Sequence, residues 1–458
     1  CRGVPGNGRA SGVGCLRPYC CPEGLLPGCR EKWFALVASQ CEEGQGPLAI
    51  EGGSPVRHHP LAPWPVFEDD EVAAATAVLR SGKVNYWTGR EGRDFEVEYA
   101  ASLGRRHAVA MANGTLALEA ALFALGVGPG DEVITTPRTF IASASCAVMR
   151  GAIPVMADVD PDSGNITAET IRAVLTPRSK AIVAVHLAGW PCDMDPILAL
   201  AKEHGLWVIE DCAQAHGAVY RGRQVGSMGH AAAFSFCQDK IITTAGEGGM
   251  LVTDDQGVWE RAWSIKDHGK DYATVYEKDH PPGFRWLHER FGSNWRMPEV
   301  QAAVGRVQLP KLPRWVAARR ANAKLLQDAL SAFPSVRVPV PPADVEHAYY
   351  RQYAFVCPER LRSGWDRDRI RDAIVAEGVP CFSGSCSEIY LERAFAAATH
   401  PVTGQPLGPA ARLPNARMLG ETSLAFLVHP TLTADDMADA CRAVRRVLAA
   451  ATADTGRR

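Results

Sequence analysis

From about residue 48 onward, apolar runs of four to seven residues alternate with longer amphipathic stretches, the texture of βα units. The runs 107–111, 132–135, 153–157, 181–186, 206–209, 231–236 and 250–253 read as strands. Between most of them, 115–125, 140–149, 168–175 and 194–204 read as helices. This order predicts an α/β fold built on one mostly parallel sheet covered on both faces, with ligands at the carboxyl ends of its strands. After a polar, aromatic stretch at 271–293, residues 297–333 read as helical, with breaks near Pro310 and Pro313 where the ring cannot continue the hydrogen-bond ladder. That segment is expected to bridge two domains. Strand 353–356, helix 367–377, strand 424–428 and a terminal helix 434–449 then make a smaller α+β unit. The expected division is a large domain at 48–315 and a small C-terminal domain at 316–458. Residues 1–47 show neither period and are rich in Gly, Pro, Arg and Cys. They are expected to stand outside the fold, as a disordered extension or a translation artefact, with a metal-binding tail as the lesser reading.

Composition narrows the function classes. With 49 basic against 51 acidic residues and a formal charge of −2, the chain gives no electrostatic reason to expect nucleic acid or an anionic membrane as partner. No apolar run approaches the roughly 18 residues of a membrane span. Of 14 cysteines, Cys1, Cys15, Cys20, Cys21, Cys29 and Cys41 crowd the first tenth of the chain. The others are scattered singly without CxxC spacing, which predicts reduced thiols, a cytoplasmic compartment and no metal centre.

Three segments carry candidate chemistry. In LWVIEDCAQAHG (206–217) an apolar strand ends in two acids. Asp211 there can serve as a turn or helix cap, or as the carboxylate that holds the protonated pyridine nitrogen of pyridoxal phosphate. In FSFCQDKIITTAGEGGM (234–250) Lys240 follows an apolar strand closely and precedes Gly246, Gly248 and Gly249, which allow a tight return into the next strand. Alone, Lys240 reads as a solvated loop residue; as a Schiff-base lysine it holds the cofactor aldehyde and shuttles a proton. In MANGTLALEA (111–120) Gly114 and Thr115 open a helix, where free backbone N–H groups suit a phosphate, although a cap by Asn113 or Thr115 explains the pattern equally well. Ser235 offers a further hydroxyl to the same phosphate. The three segments in this order, with no P-loop, HExxH or GxSxG element to compete, point to pyridoxal 5'-phosphate as cofactor.

These residues lie in motifs that resemble the DegT/DnrJ/StrS sugar aminotransferases, a branch of the fold-type I pyridoxal-phosphate enzymes, over about 48–449. The motifs are NGTLALEAAL (113–122), TPRTFIAS (136–143), VHLAGWPCDMD (185–195), EDCAQAHG (210–217), FSFCQDKIITTAGEGG (234–249), GSNWRMPEVQAAVGRVQL (292–309) and VHPTLT (428–433). The resemblance implies that Lys240 carries the cofactor and Asp211 pairs with its pyridinium. It implies Gln214 at the phenolic-oxygen side, Phe140 against the ring face, and Gly114, Thr115 and Ser235 on the phosphate. Asn294 and Arg296 would reach that phosphate from a neighbouring subunit, which makes the expected state a homodimer with shared sites. Lys240 separates the chain from relatives that carry histidine there and dehydrate their substrates. The activity implied is amino transfer, with glutamate as donor, to the carbonyl of a nucleotide-linked keto-sugar whose product feeds surface polysaccharide or a glycosylated metabolite. A cyclitol or other small ketone as acceptor, another pyridoxal-phosphate reaction, and a non-catalytic cofactor-binding regulator are the alternatives. His268, Trp286 and His288, in and beside the 271–293 stretch, are candidates for touching a sugar nucleotide, with packing of a long loop as the competing role.

Overall fold

The computed structural model describes residues 46–280, 283 and 285–453. The expectations for residues 1–45, including the clustered cysteines, lie outside the described residues. Nine strands occupy the first part of the chain: β1 (His107–Met111), β2 (Glu132–Thr135), β3 (Ile153–Met156), β4 (Ser179–Val185), β5 (Trp207–Asp211), β6 (Val219–Tyr220), β7 (Arg223–Gln224), β8 (Ala231–Ser235) and β9 (Gly249–Thr253). Seven of them form one sheet in the order β1-β9-β8-β5-β4-β2-β3. β5 pairs in parallel with β4 and β8, and β2 with β3 and β4; only β9 runs against its neighbours β1 and β8. The expected mostly parallel α/β sheet is therefore present, with β1, β4, β5 and β8 ending at a common edge. Almost every residue of these strands is buried, as a sheet covered on both faces requires.

The bridging segment breaks once. A helix at Glu299–Gln308 gives way to a 3-10 turn at Leu309–Lys311, and a second helix runs from Leu312 to Leu330. Pro313 does not interrupt it: the residue sits in the first turn, where its missing N–H has no ladder partner to lose. Trp315 and Val316 of this helix join the core under the large sheet, whereas Ala323, Leu326 and Leu330 join a second core. That second core belongs to an antiparallel sheet of β10 (Val336–Arg337), β12 (Gln352–Val356), β14 (Ser423–Phe426) and β13 (Cys381–Phe382), with β11 (Val345–Glu346) reaching back to pair with β6. The terminal helix Ala434–Ala451 covers it, its buried face running through Met437, Cys441, Val444 and Leu448. Among the described residues no helix is long and apolar enough to cross a membrane.

The beginning of the described chain packs at its far end. Leu48 is buried among Leu326, Val379 and Val444, and Val56 and Leu61 pack against the same cluster. Glu377 fastens this strap. Fully buried, it accepts hydrogen bonds from the N–H groups of Ala49 (2.9 Å) and Val56 (3.0 Å) and pairs with Arg446 at 3.0 Å. Removing one partner of such a buried set strands the others without water. Glu377→Ala should lower the free energy of unfolding by about 3 kcal/mol. It should also speed hydrogen exchange at 49–56 well before that of β12. A urea midpoint equal to that of the parent chain would contradict this account.

Candidate active site

The common strand edge opens into a cavity of about 940 Å³ whose walls include Gly114, Thr115, Phe140, Asp211, Gln214, Ser235 and Lys240. Seven of the residues expected from sequence thus converge. Asp211 arrives as the last residue of β5, beside Val185 of β4 and Ala233 of β8. Successive strand residues point to opposite faces, so its neighbour Glu210 faces away. Glu210 accepts instead from the N–H groups of Gly226 (2.8 Å), Met228 (2.7 Å) and Gly229 (2.6 Å) and from His186, which anchors the turn leading into β8. The two acids of the motif are therefore divided, one for the turn and one for the cavity.

Asp211 is 5% exposed, accepts from the Ser143 hydroxyl at 2.7 Å and the Ala213 N–H at 3.1 Å, and forms no ion pair among the described residues. Burial pushes its carboxyl up, and the two hydrogen bonds recover only part of that. A buried carboxylate with no cation of its own matches the charge of a protonated pyridine. Ser143 is held in turn by Thr139 at 2.9 Å. It lies in the TPRTFIAS motif, which gave the signal, but its role needs the fold to be seen.

Lys240 stands in the turn after β8. Its N–H donates to the Cys237 carbonyl at 3.0 Å, and its own carbonyl accepts from the Trp64 indole at 3.0 Å. The ammonium lies 4.8 Å from the centre of the Tyr350 ring and 3.6 Å from Asp239. Burial disfavours its charge, but Tyr350 and Asp239 outweigh that and hold its pKa above the ordinary lysine value. The Tyr350 hydroxyl donates to Asp239.

The helix Gly114–Ala124 starts on this cavity. The Asn113 side chain accepts from the N–H of Leu116 at 2.9 Å and so serves as the cap, which leaves the first N–H groups, those of Gly114 and Thr115, without helical partners. The cap reading falls to Asn113, and Gly114 and Thr115, expected at a phosphate, line the cavity. Close approach fixes the glycines: a Cβ on Gly114 would stand 2.7 Å from Ser235 Cβ, and one on Gly249 would stand 2.2 Å from the Asn113 carbonyl. Ser235 is set from behind by His216, whose Nε2 lies 2.9 Å from its carbonyl and whose Nδ1 lies 3.0 Å from the Tyr99 hydroxyl. Burial holds His216 at a pKa of about 4, so it is neutral, donating through Nε2 and accepting at Nδ1. Phe140 is 69% exposed at the cavity wall, an aromatic face that its own chain leaves uncovered. Gln214 accepts from the Ala188 N–H at 2.7 Å, which engages its amide oxygen. A cradle of backbone N–H groups, a bare ring, an unpaired buried carboxylate and a lysine amine fit pyridoxal phosphate.

Asn294 and Arg296 do not line the cavity of their own chain. Their segment bridges to Asp267 and Met111, and Arg296 pairs with the buried Asp267 at 2.8 Å. His268, Trp286 and His288 also stand apart from it; Trp286 is exposed, and a short helix at Tyr272–Tyr276 packs the start of the stretch against Trp259 and Trp263. Asp239 lines the cavity from inside the FSFCQDK motif, where nothing in the pattern marks it, and Tyr350, Arg351 and Tyr353 line it without any signal in their local sequence.

Known proteins resemble this chain over most of its length. The chain is 35% identical over 385 residues to the spore coat polysaccharide biosynthesis protein SpsC of Bacillus subtilis (strain 168), covering 84% of this chain and 96% of that one. It is 46% identical over 236 residues to the GDP-perosamine synthase of Caulobacter vibrioides, covering 51% of this chain and 61% of the relative. The solved structure of the aminotransferase from Psychrobacter cryohalolentis superposes with a TM-score of 0.82 at 56% identity, over 85% of this chain and 99% of that one. Residues 65–445 match a single family throughout, and the chain belongs to it: the DegT/DnrJ/EryC1/StrS aminotransferases, which depend on pyridoxal phosphate.

Proposed function

We propose that this aminotransferase moves an amino group from glutamate to the carbonyl of a nucleotide-linked keto-sugar, in the cytoplasm, as a homodimer whose two sites are shared. The observation that carries the acceptor class is the size of the cavity: about 940 Å³ is at the upper end of small-molecule sites and leaves room for a substrate much larger than an amino acid beside the cofactor. The relative named GDP-perosamine synthase supports the same class.

When bound, pyridoxal phosphate supplies the electrophilic carbon and the electron sink for amino transfer. Asp211 would pair with the protonated pyridine nitrogen, and the Ser143 hydroxyl, which donates to Asp211, aims it. The N–H groups of Gly114 and Thr115, with the Ser235 hydroxyl, would bind the phosphate. Phe140 would offer its uncovered face to the ring, and the amide nitrogen of Gln214, whose oxygen is engaged by Ala188, would be free to donate to it. Lys240 Nζ would hold the cofactor and, once free, is the amine placed to take up and return the proton at the substrate carbon. Tyr350 and Asp239 place that amine.

Charge supports the shared site. The lining from one chain carries Asp211, Asp239, Glu247 and Glu392 against Lys240 and Arg351, so a phosphate dianion there needs further positive charge. Arg296 of a second copy would supply it.

Purified holoenzyme given glutamate should lose its visible cofactor band, and a keto-sugar nucleotide added afterwards should restore it, whereas free keto-sugars should not. Restoration by a free cyclitol ketone alone would refute the acceptor assignment. Lys240→Ala should lower turnover by more than about 10³-fold. Ser143→Ala, which removes a hydrogen bond to a buried carboxylate, should lower kcat by about tenfold with little change in KM; a kcat equal to the parent's would remove Ser143 from this scheme. Mixing inactive Lys240→Ala chains with impaired Arg296→Ala chains should restore up to about a quarter of parental sites, and a mixture no more active than its components would exclude a contribution of Arg296 across the dimer.

A further inference from the structure

A second cavity, of about 300 Å³, adjoins the one that holds Lys240, and the two share Asp239, Tyr350 and Arg351 as a common wall. The strap at 60–64, Arg319 and His429 form much of the rest of its wall. Amino transfer as described above makes no use of this space.

Arg319 decides what the cavity suits. The residue is 1% exposed, yet only Nη1 finds acceptors, the carbonyls of Tyr349 and Tyr350 at 3.5 and 3.4 Å; Nε and Nη2 have no hydrogen-bond partner. Its position 5.2 Å from the centre of the Trp64 ring offsets part of the cost of burying the charge but supplies no acceptor for the remaining donors. Burial, and then the charge of Arg351, pull its pKa down to about 9, so it stays protonated at neutral pH. Among the described residues Arg351 lies over the Tyr350 and Phe382 rings and pairs with one carboxylate, Asp239, at 3.6 Å, which also serves Lys240 and Tyr350. His429 adds no negative charge; burial and the two arginines keep it neutral, with a pKa of about 3. The wall therefore holds two guanidinium groups and one carboxylate that is shared elsewhere.

Arg138 shows the contrast. It too is fully buried with Nε and Nη2 unpartnered, but the cavity beside it measures about 30 Å³. That is room for about one water. Arg319 borders space for a small organic acid.

We propose that the second cavity is a subsite for a small carboxylate, bound by Arg319 and Arg351 and supplied either by a free organic acid or by the carboxylate of the amino donor. An occupant would touch the machinery of Lys240 in two places: Trp64 donates to the lysine's carbonyl, and Tyr350 lies beside its amine. The inference does not depend on the identity of the amino acceptor.

Holoenzyme in a buffer free of other oxyanions can be titrated with succinate by isothermal calorimetry, with no acceptor present. Saturable binding is expected, weakened about tenfold or more by Arg319→Gln. Arg319 does not line the catalytic cavity, so that loss locates the ligand in the second one. Ala62→Phe, on the strap, narrows the same cavity without removing a buried charge and decides the matter if Arg319→Gln fails to fold. No saturable binding by the parent, or equal binding by both variants, overturns the proposal. Where binding is lost as expected, succinate that competes with glutamate in bleaching the cofactor assigns the subsite to the donor's carboxylate, and succinate that does not compete assigns it to a free acid. The heat of binding is read without turnover, so a wrong keto-sugar assignment would leave this result standing.

Discussion

A carboxylate buried at the end of a strand with no cation beside it is the constraint around which this site is built. Burial pushes the Asp211 carboxyl up, and the Ser143 hydroxyl and Ala213 N–H that donate to it offset part of that without neutralising the charge. The position is therefore selective for a ligand that brings a positive group to that depth. Glu210, the residue before it, accepts three backbone N–H groups of the turn at 226–229 on the other face. That turn sets where β8 begins, and so where Ser235 ends the strand and Lys240 leaves it. One strand thus places both the acid and, through the next strand, the amine.

The amine is held by parts of the chain that are far apart in sequence. Trp64 bonds the Lys240 carbonyl, Cys237 accepts its N–H, and Tyr350 stands beside its Nζ. Trp64 rests in turn on Trp315, 5.2 Å away and edge-on, and stacks on His429 at 6.2 Å. The helix Leu312–Leu330 carries Trp315 into one core and Leu326 into the other. The geometry of the lysine is accordingly a property of both cores docked together, with the strap drawn over the join by Glu377.

What could be read from sequence follows from the range of the forces involved. Strands of the main sheet were legible because burial on both faces leaves an uninterrupted apolar run, and Asp211 and Lys240 because a charged residue at the end of such a run has few structural uses. β6, β7 and β11 have two residues each, too short for any period. Pro313 misleads because the same residue breaks a helix in its interior and suits its first turn. Tyr350, Arg351 and Arg319 come from the C-terminal half and its bridge, and their local sequence is that of ordinary polar surface. Sequence order groups Leu48 with the large sheet, but its side chain packs with Leu326 and Val444, since a single apolar residue carries no mark of which core will take it.

The two cavities are unbalanced in opposite senses on either side of a wall they share. On the catalytic side, carboxylates outnumber cations before any phosphate arrives, so a phosphate dianion there would add to an existing negative excess. On the other side, Arg319 and Arg351 have between them one carboxylate already engaged by Lys240 and Tyr350. An anion shared by Arg319 and Arg351 would draw Arg351 away from Asp239, and Asp239 would then act more fully on Lys240. Occupancy of the second cavity would in this way be felt at the catalytic amine through charge alone, without movement of the sheet.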